Sequence, residues 1–238
     1  MTRYYVGLMS GTSMDGIYAT LVRFLTAGVE IGATFSLRYP PELQEKLLHA
    51  AGLPLDEAPD ADGELHRAVG ECFLEAALGV IRKSGVPRQE IAAIGSHGQT
   101  LRHRPDAPEP FSLQVGDADI IASGSGLPTV ANFRQADLDA GGQGAPLVPP
   151  FHQWLFSSGD KDRVVVNIGG IANITHLPCG EDPVIGFDTG PGNGLMDRWI
   201  RSVQQQPFDN DGRWAAAGHV VPELLDDFLS DPYFAEAP

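Results

Sequence analysis

Two stretches of this chain share one pattern, and it restricts the fold more than any other feature. An apolar β-like run enters a polar, glycine-bearing turn, and a second β-like run leaves it. The first stretch spans Gly7 to Leu21 around the turn Ser10-Gly11-Thr12-Ser13-Met14-Asp15-Gly16. The second spans Val165 to Thr175 around Gly169-Gly170. Glycine accepts backbone angles that a Cβ forbids, so such turns can reverse a strand and bring backbone close to another group. The likeness of the two stretches reads as an internal duplication rather than a short-period repeat. It predicts two α/β units that each open on a hairpin.

Between these hairpins the periodicity alternates between strand and helix. Strands are expected at Tyr4 to Met9, Ile17 to Phe24 and Val29 to Arg38, which makes an antiparallel start to a mixed sheet. A short helix follows from Pro41 to Ala50, with proline at its N-terminal end. Leu65, Val69, Phe73, Ala76, Leu78 and Ile81 then give helical spacing from near Asp62 to the stop at Gly85-Val86-Pro87. Ile91 to Gly95 reads as a buried strand, Ile120 to Ala122 as part of a helix and Thr129 to Ala131 as a short strand. Asp139 to Pro150, rich in Gly and Pro, reads as a loop or hinge. Beyond it, strands are expected at Val164 to Ile168, Ile171 to Leu177 and Val184 to Phe187, then a helix from about Asn193 to Val203. The expected division is residues 1–130 and 131–238.

Composition narrows the function. With 238 residues, 42% hydrophobic and 20% charged, the chain can bury a core. A formal net charge of -15 repels phosphate backbones and speaks against nucleic-acid binding. Arg102-His103-Arg104 is the one dense basic stretch, and it reads as a solvated loop that can hold at most a small anion. Met1 to Tyr5 runs straight into a short apolar segment, and no run approaches the roughly 18 apolar residues of a membrane span. Cys72 and Cys179 match no disulfide or metal framework. A cytoplasmic, reducing compartment and no membrane partner are the expectation.

Several segments carry chemistry. Ser10 to Gly16 can aim backbone N–H groups and hydroxyls at an anion, and Asp15 can orient a hydrated metal ion. No lysine follows the glycines, so it is not a Walker A loop, and a hairpin turn with polar filler explains the pattern equally well. Asn167-Ile168-Gly169-Gly170 is a second such turn, for which a structural bulge is the alternative. In Gly186-Phe187-Asp188-Thr189-Gly190-Pro191-Gly192-Asn193-Gly194, a strand delivers Asp188 and a glycine-rich turn then opens a helix. A carboxylate there suits a general base, and a helix N-terminus favours an anionic ligand. A helix-capping role for Asp188 or Thr189 is the competing reading. Ser96-His97-Gly98-Gln99-Thr100 and Asn132-Phe133-Arg134 read as site walls. Arg134 can grip a carboxylate or phosphate, or pair with Asp137. Gln114 and Asp117 are polar enough for sugar contacts.

Taken in order, these segments resemble the anhydro-N-acetylmuramic acid kinases. The resemblance rests on Gly7 to Gly16, Ser96 to Thr100, Asn132 to Arg134, Gly141-Gly142-Gln143-Gly144-Ala145-Pro146-Leu147-Val148-Pro149, Asn167 to Gly170 and Gly186 to Asn193. It implies the actin-like ATPase (ribonuclease H-like) α/β fold, with two related mixed-sheet domains around a nucleotide cleft. It further implies ATP and Mg2+, and an amino sugar whose internal anhydro bridge is opened as O6 is phosphorylated.

By the same resemblance, Ser10, Gly11, Thr12, Ser13, Met14, Asp15, Gly16 and Ile17 form the first nucleotide-phosphate loop. Asn167, Gly169 and Gly170 form the second. Asp188 is the base, and His97, Gln99, Thr100 and Arg134 meet the sugar. Many relatives carry Asp where Asn167 stands, so no metal ligand is assigned. Family members continue well past Phe234-Ala235-Glu236-Ala237-Pro238, and no Gly-Gly pair follows Gly169-Gly170. The second domain is therefore expected to be incomplete. A nucleotide-binding or interaction module without turnover stands as the alternative, and the sequence leaves open whether the chain forms a homodimer.

Overall fold

The computed structural model describes residues 3–26 and 28–235. Met1-Thr2 and Glu236-Ala237-Pro238, where the readings of the N-terminus and of the chain end partly fell, lie outside them. The chain divides into two compact units, Met1–Ser157 and Ser158–Pro238.

The first unit is built on strands β1 (Tyr4–Ser10), β2 (Gly16–Leu25), β3 (Gly28–Arg38), β4 (Ile91–Arg104), β5 (Phe111–Val115) and β6 (Thr129–Val130). Their order is β3-β2-β1-β4-β5, with β6 also beside β4. β1 runs antiparallel to β2 and parallel to β4, and β6 is parallel to β4. Strict alternation buries Val6, Leu8 and Ser10 on one face of β1 and exposes Tyr5 and Met9 on the other.

Helices α1 (Pro41–Gly52), α2 (Glu64–Ser84) and α3 (Ala118–Ser125) accompany this sheet. Helix α2 contributes Val69, Phe73, Ala76, Ala77 and Val80, each 0% exposed, at the three- and four-residue spacing of one helix face. Asp60 accepts hydrogen bonds from the backbone N–H of Leu65 and His66, which satisfies two of the orphan donors at the start of α2. Helices α4 (Phe133–Asp139) and α5 (Pro149–Phe156) complete the unit.

Helix α5 belongs to the first compact unit, which runs to Ser157, whereas the expected division lay at residue 130. Trp154 packs on Phe24 at 5.8 Å between ring centroids, and Phe24 meets Tyr5 at 5.7 Å. The exposed side of β1 and β2 thus acquires an aromatic cover from α5. The Gly- and Pro-rich stretch before it marks a loop inside the unit.

Arg102 also differs from expectation. It lies in β4, not in a solvated loop, and is 9% exposed. Its guanidinium donates to the carbonyl oxygens of Leu53, Pro54 and Leu55 just past α1. A buried cation needs such acceptors, and these carbonyls also lie at the negative end of a helix.

The second unit holds an antiparallel sheet of β7 (Arg163–Ile168), β8 (Ile171–Leu177) and β9 (Ile185–Pro191), in the order β7-β8-β9. Helices α6 (Gly194–Gln204), α7 (Arg213–Ala216) and α8 (Pro222–Leu229) follow. Among its described hydrophobic side chains only Leu177 and Ile200 are buried. Val164, Val166 and Ile168 of β7, and Met196 and Trp199 of α6, are exposed. No helix of the described residues is long and apolar enough to cross a membrane.

Candidate functional site

In the first unit the turn between β1 and β2 is held from below by buried polar groups. Ser10 Oγ, 1% exposed, lies 2.8 Å from the Gly16 carbonyl oxygen and 2.7 Å from Gln99 Oε1, sharing its one proton between them. Gln99, 0% exposed, donates from Nε2 to the carbonyl oxygens of Gly11 and Thr100. The Gly11 carbonyl also accepts from Met14 N at 3.2 Å. Gln44 donates to the Met14 carbonyl at 2.9 Å. Met14 is buried in the left-handed region at φ 52°, an unusual place for a long side chain, and these bonds hold it there.

At the tip, Ser13 and Tyr18 donate to the Asp15 carboxylate at 2.7 and 3.1 Å. The charge of Asp15 raises the Tyr18 phenol above its ordinary value. Thr12 and Asp15 are exposed, whereas Gly16 and Ile17 are buried in the start of β2. No cluster of three or more His, Cys, Asp or Glu among the described residues could cage a metal ion. Mg2+ commonly takes only one or two carboxylates together with substrate phosphates. Asp15, exposed at the turn, fits that use.

Strand β4 carries the next group. Leu8 faces Ser96 and Ser10 faces Gln99, so β4 holds one extra residue there, a bulge. Gly98 adopts φ +72° at this bulge, where a Cβ would meet the Val115 carbonyl oxygen at 2.7 Å. Only glycine fits, and the bulge re-aims the side chains around it. His97 Nδ1 donates to the Gly98 carbonyl at 3.0 Å, which leaves Nε2 as an acceptor for Arg134 Nε and Nη2 at 3.1 and 2.9 Å. Burial lowers the His97 pKa, and the Arg134 charge lowers it further against the opposing Gly98 bond, so the ring is neutral near pH 7.

Arg134 also donates from Nη1 to the Gly144 carbonyl, while Asp137 accepts from the Gly144 N–H at 2.7 Å. Arg134 and Asp137 thus both hold the backbone of Gly144. Thr100 accepts from Gln114 Nε2 at 3.2 Å. The expected sugar-contact residues therefore divide. His97 and Arg134 meet directly, and Thr100 reaches Gln114. Gln99 spends its amide inside the protein, under the first turn.

Beside His97 lies a pocket of about 320 Å3 lined by residues that include Ser96, Gln114, Asp117, Asp119 and Asn132. It sits where β4 and β6 run parallel and α3 begins, the end of a parallel sheet at which α/β proteins bind ligands. Asp117 caps α3, accepting from Asp119 N and Ile120 N. Ser96 Oγ is buried and has no hydrogen-bond partner among the described residues. Sequence reasoning singled out Gln114 and Asp117, and named Ser96 within a site-wall segment without giving it a role.

In the second unit the two glycine segments touch. Gly192 N and Gly194 N donate to the Gly170 carbonyl at 3.0 and 3.1 Å, and Asn193 N donates to the Gly169 carbonyl at 2.8 Å. A Cβ on Gly194 would come within 2.8 Å of the Gly170 oxygen, and one on Gly192 would collide with the Gly169 oxygen. Asp188 lies inside β9 and is exposed, with no hydrogen bond among the described residues. It faces Asn173, which faces Asn167, so three polar residues line up across the sheet on one face. Neither Asp188 nor Thr189 caps α6. Asn193 occupies that position and donates from its amide to Asp197.

The chain is an α/β protein, and comparison with known proteins narrows the class. The family model described as anhydro-N-acetylmuramic acid kinase matches residues 3–238. The anhydro-N-acetylmuramic acid kinase of Shewanella baltica (strain OS223) is 49% identical over 234 residues, covering 98% of this chain and 63% of that protein. The kinase of the same name from Shewanella halifaxensis (strain HAW-EB4) is 48% identical, with the same coverage. The chain belongs to the anhydro-N-acetylmuramic acid kinase family. It spans 63% of the length of these relatives. Among solved structures, a chain of a PilM-PilN type IV pilus biogenesis complex aligns with a TM-score of 0.40 and 15% identity, covering 85% of this chain and 66% of that one.

Proposed function

We propose that this protein serves the ATP-dependent opening and phosphorylation of 1,6-anhydro-N-acetylmuramic acid, giving N-acetylmuramic acid 6-phosphate and ADP in the recycling of cell-wall sugar within the cytoplasm. The observation that carries the reading is Asp188. It is an exposed carboxylate without a hydrogen bond among the described residues, in a strand that leads into a glycine turn hydrogen-bonded to a second glycine turn. Asp188 takes a proton from water as the water oxygen bonds to the anomeric carbon. The bond from that carbon to O6 breaks, and O6 accepts the γ-phosphoryl group as ADP leaves. In this reading the leaving O6 needs no acid, because phosphoryl transfer captures its charge, in the manner of an inverting glycosidase with one partner replaced.

The turn Ser10 to Ile17 and the turn at Asn167, Gly169 and Gly170 hold the phosphates. His97, Thr100 and Arg134 hold the sugar, and Gln99 supports the first turn. Mg2+, when bound, neutralises phosphate charge, with Asp15 the best-placed carboxylate.

The test is turnover with ATP, Mg2+ and the anhydro sugar. Asp188→Asn is expected to lower kcat by roughly 10²- to 10⁴-fold and leave the nucleotide Kd nearly unchanged. Near-normal turnover in the variant refutes the role of Asp188. Because the chain spans 63% of its relatives, a nucleotide-binding module without turnover is the second reading. Calorimetry showing ADP bound with no product formed favours that module.

A further inference from the structure

Beneath the first turn one buried donor is left over. Tyr39, between β3 and α1, is 5% exposed, and its phenol oxygen has no hydrogen-bond partner among the described residues. Buried hydroxyls are nearly always paired, so an unpaired one calls for an explanation. Its position supplies one. Arg38, the residue before it, faces Gly16 across the β2–β3 ladder, and the Gly16 carbonyl is the group that Ser10 Oγ reaches at 2.8 Å. Ser10, Cys72 and Asp15 are the side chains that act on the Tyr39 phenol, and burial raises its pKa, so it stays protonated near pH 7.

A count of protons points the same way. Ser10 has one hydroxyl hydrogen and faces two acceptors, the Gly16 carbonyl and Gln99 Oε1. Gln99 cannot make up the deficit, because its Nε2 already donates to the carbonyls of Gly11 and Thr100. The cluster is one donor short, and the Tyr39 hydroxyl beside it is one donor in excess. A hydroxyl oxygen can accept one hydrogen bond while it donates another, so Ser10 can receive the phenol proton and still hold Gly16.

We infer that Tyr39 is a positioning residue for the first turn, its hydroxyl donating to Ser10 Oγ when the backbone between Gly11 and Gly16 closes on a nucleotide phosphate. The inference rests on the reading of Ser10 to Ile17 as a phosphate turn. At 5% exposure Tyr39 is not itself a ligand contact. It acts through Ser10, which reaches Gly16 directly and Gly11 by way of Gln99, the two ends of the turn. Gln44 of α1 holds the Met14 carbonyl at 2.9 Å, so the segment that Tyr39 opens already grips the turn at one point.

The experiment compares the whole chain with Tyr39→Phe, which removes the hydroxyl and keeps the ring. A donor unpaired in the free protein adds nothing to its stability, so the urea midpoint of Tyr39→Phe should be unchanged or slightly raised. The Kd of ADP with Mg2+, read by calorimetry, should weaken roughly three- to tenfold, the loss of one hydrogen bond made only in the bound state. With tyrosine labelled with 13C at the ring carbon that bears the hydroxyl, the Tyr39 signal is the one missing from the variant, and it should move on adding ADP and Mg2+. In a Ser10→Ala background, Tyr39→Phe should leave that Kd unaltered. A Tyr39→Phe protein that is less stable yet binds ADP as tightly as the wild type makes Tyr39 a structural residue and overturns the inference, as does a Tyr39 signal that ADP leaves in place. If ADP shifts the amide signals of Ser10 to Gly16 while both proteins share one Kd, this inference falls and the phosphate-turn reading stands. If ADP leaves those amide signals of the wild type unmoved, the reading falls and the inference with it.

Discussion

The two hairpins of this chain use glycine turns of similar sequence, but they are stabilised in different ways. Under the first turn, Ser10 and Gln99 are buried side chains that reach up to the carbonyls of Gly16 and Gly11. Among the described residues the second turn is held by backbone bonds, with Gly192, Asn193 and Gly194 donating to Gly169 and Gly170. The surroundings differ in the same sense. The first sheet has α2 over one face, with Phe73 at 0% exposure, whereas Val164, Val166 and Ile168 of β7 are exposed. Similar turns can therefore sit on a sheet whose apolar side chains are covered or on one where they are open. The covering comes from helices far off in sequence and not from the turn.

The sharpest way to break this comparison is to empty each core in turn. Phe73→Ala should destabilise the first unit by about 3–5 kcal/mol, read from urea unfolding, because a large ring leaves a cavity that rigid neighbours cannot fill. A loss under 1 kcal/mol would mean that the first core is as loose as the second.

Ser10→Ala comes next, at roughly 1–3 kcal/mol, since it strands the Gly16 carbonyl and the Gln99 amide without their shared partner. Hydrogen exchange should quicken in the first turn and stay unchanged at Gly169-Gly170.

His97 adds a pH dependence that the second unit should lack. Its folded pKa is lowered, so between the ordinary value near 6.5 and that lower value the unfolded chain binds the proton and the folded chain does not. Stability of the first unit should therefore fall as pH drops below about 6.5, with a slope of at most about 1.4 kcal/mol per pH unit. His97→Gln should flatten that slope, and an unchanged slope would show that another group sets it.

The smallest effect belongs to the open sheet. Val166→Ser, at 56% exposure, should change stability by no more than about 0.5 kcal/mol. A larger loss would mean that this face is covered in solution.

Much of the fold was legible because its elements are locally coded. β1, β2, β3, α1 and α2 appear close to their expected limits, since alternation and helical spacing declare themselves within ten to twenty residues. β4 was expected to end at Gly95 but runs to Arg104, because its second half exists through pairing with β5, itself unforeseen. α4 and α5 hid behind glycine- and proline-rich flanks. Arg102 looked like a surface cation because nothing near it in sequence reveals the three carbonyls, 47 to 49 residues away, that receive it.

The sequence by itself determined the order of the turns, the family to which the chain belongs and the residue types able to do chemistry. Those follow from local patterns and from the identity of side chains. Tertiary structure alone decided that Gln99 supports a turn, that His97 and Arg134 are partners, that the Gly169-Gly170 and Gly192-Asn193-Gly194 segments of the second unit lie against each other, and that Ser96 ends buried with no hydrogen-bond partner among the described residues. Each of these depends on distances between residues far apart in the chain. Burial and hydrogen bonding are set by those distances, and no periodicity encodes them.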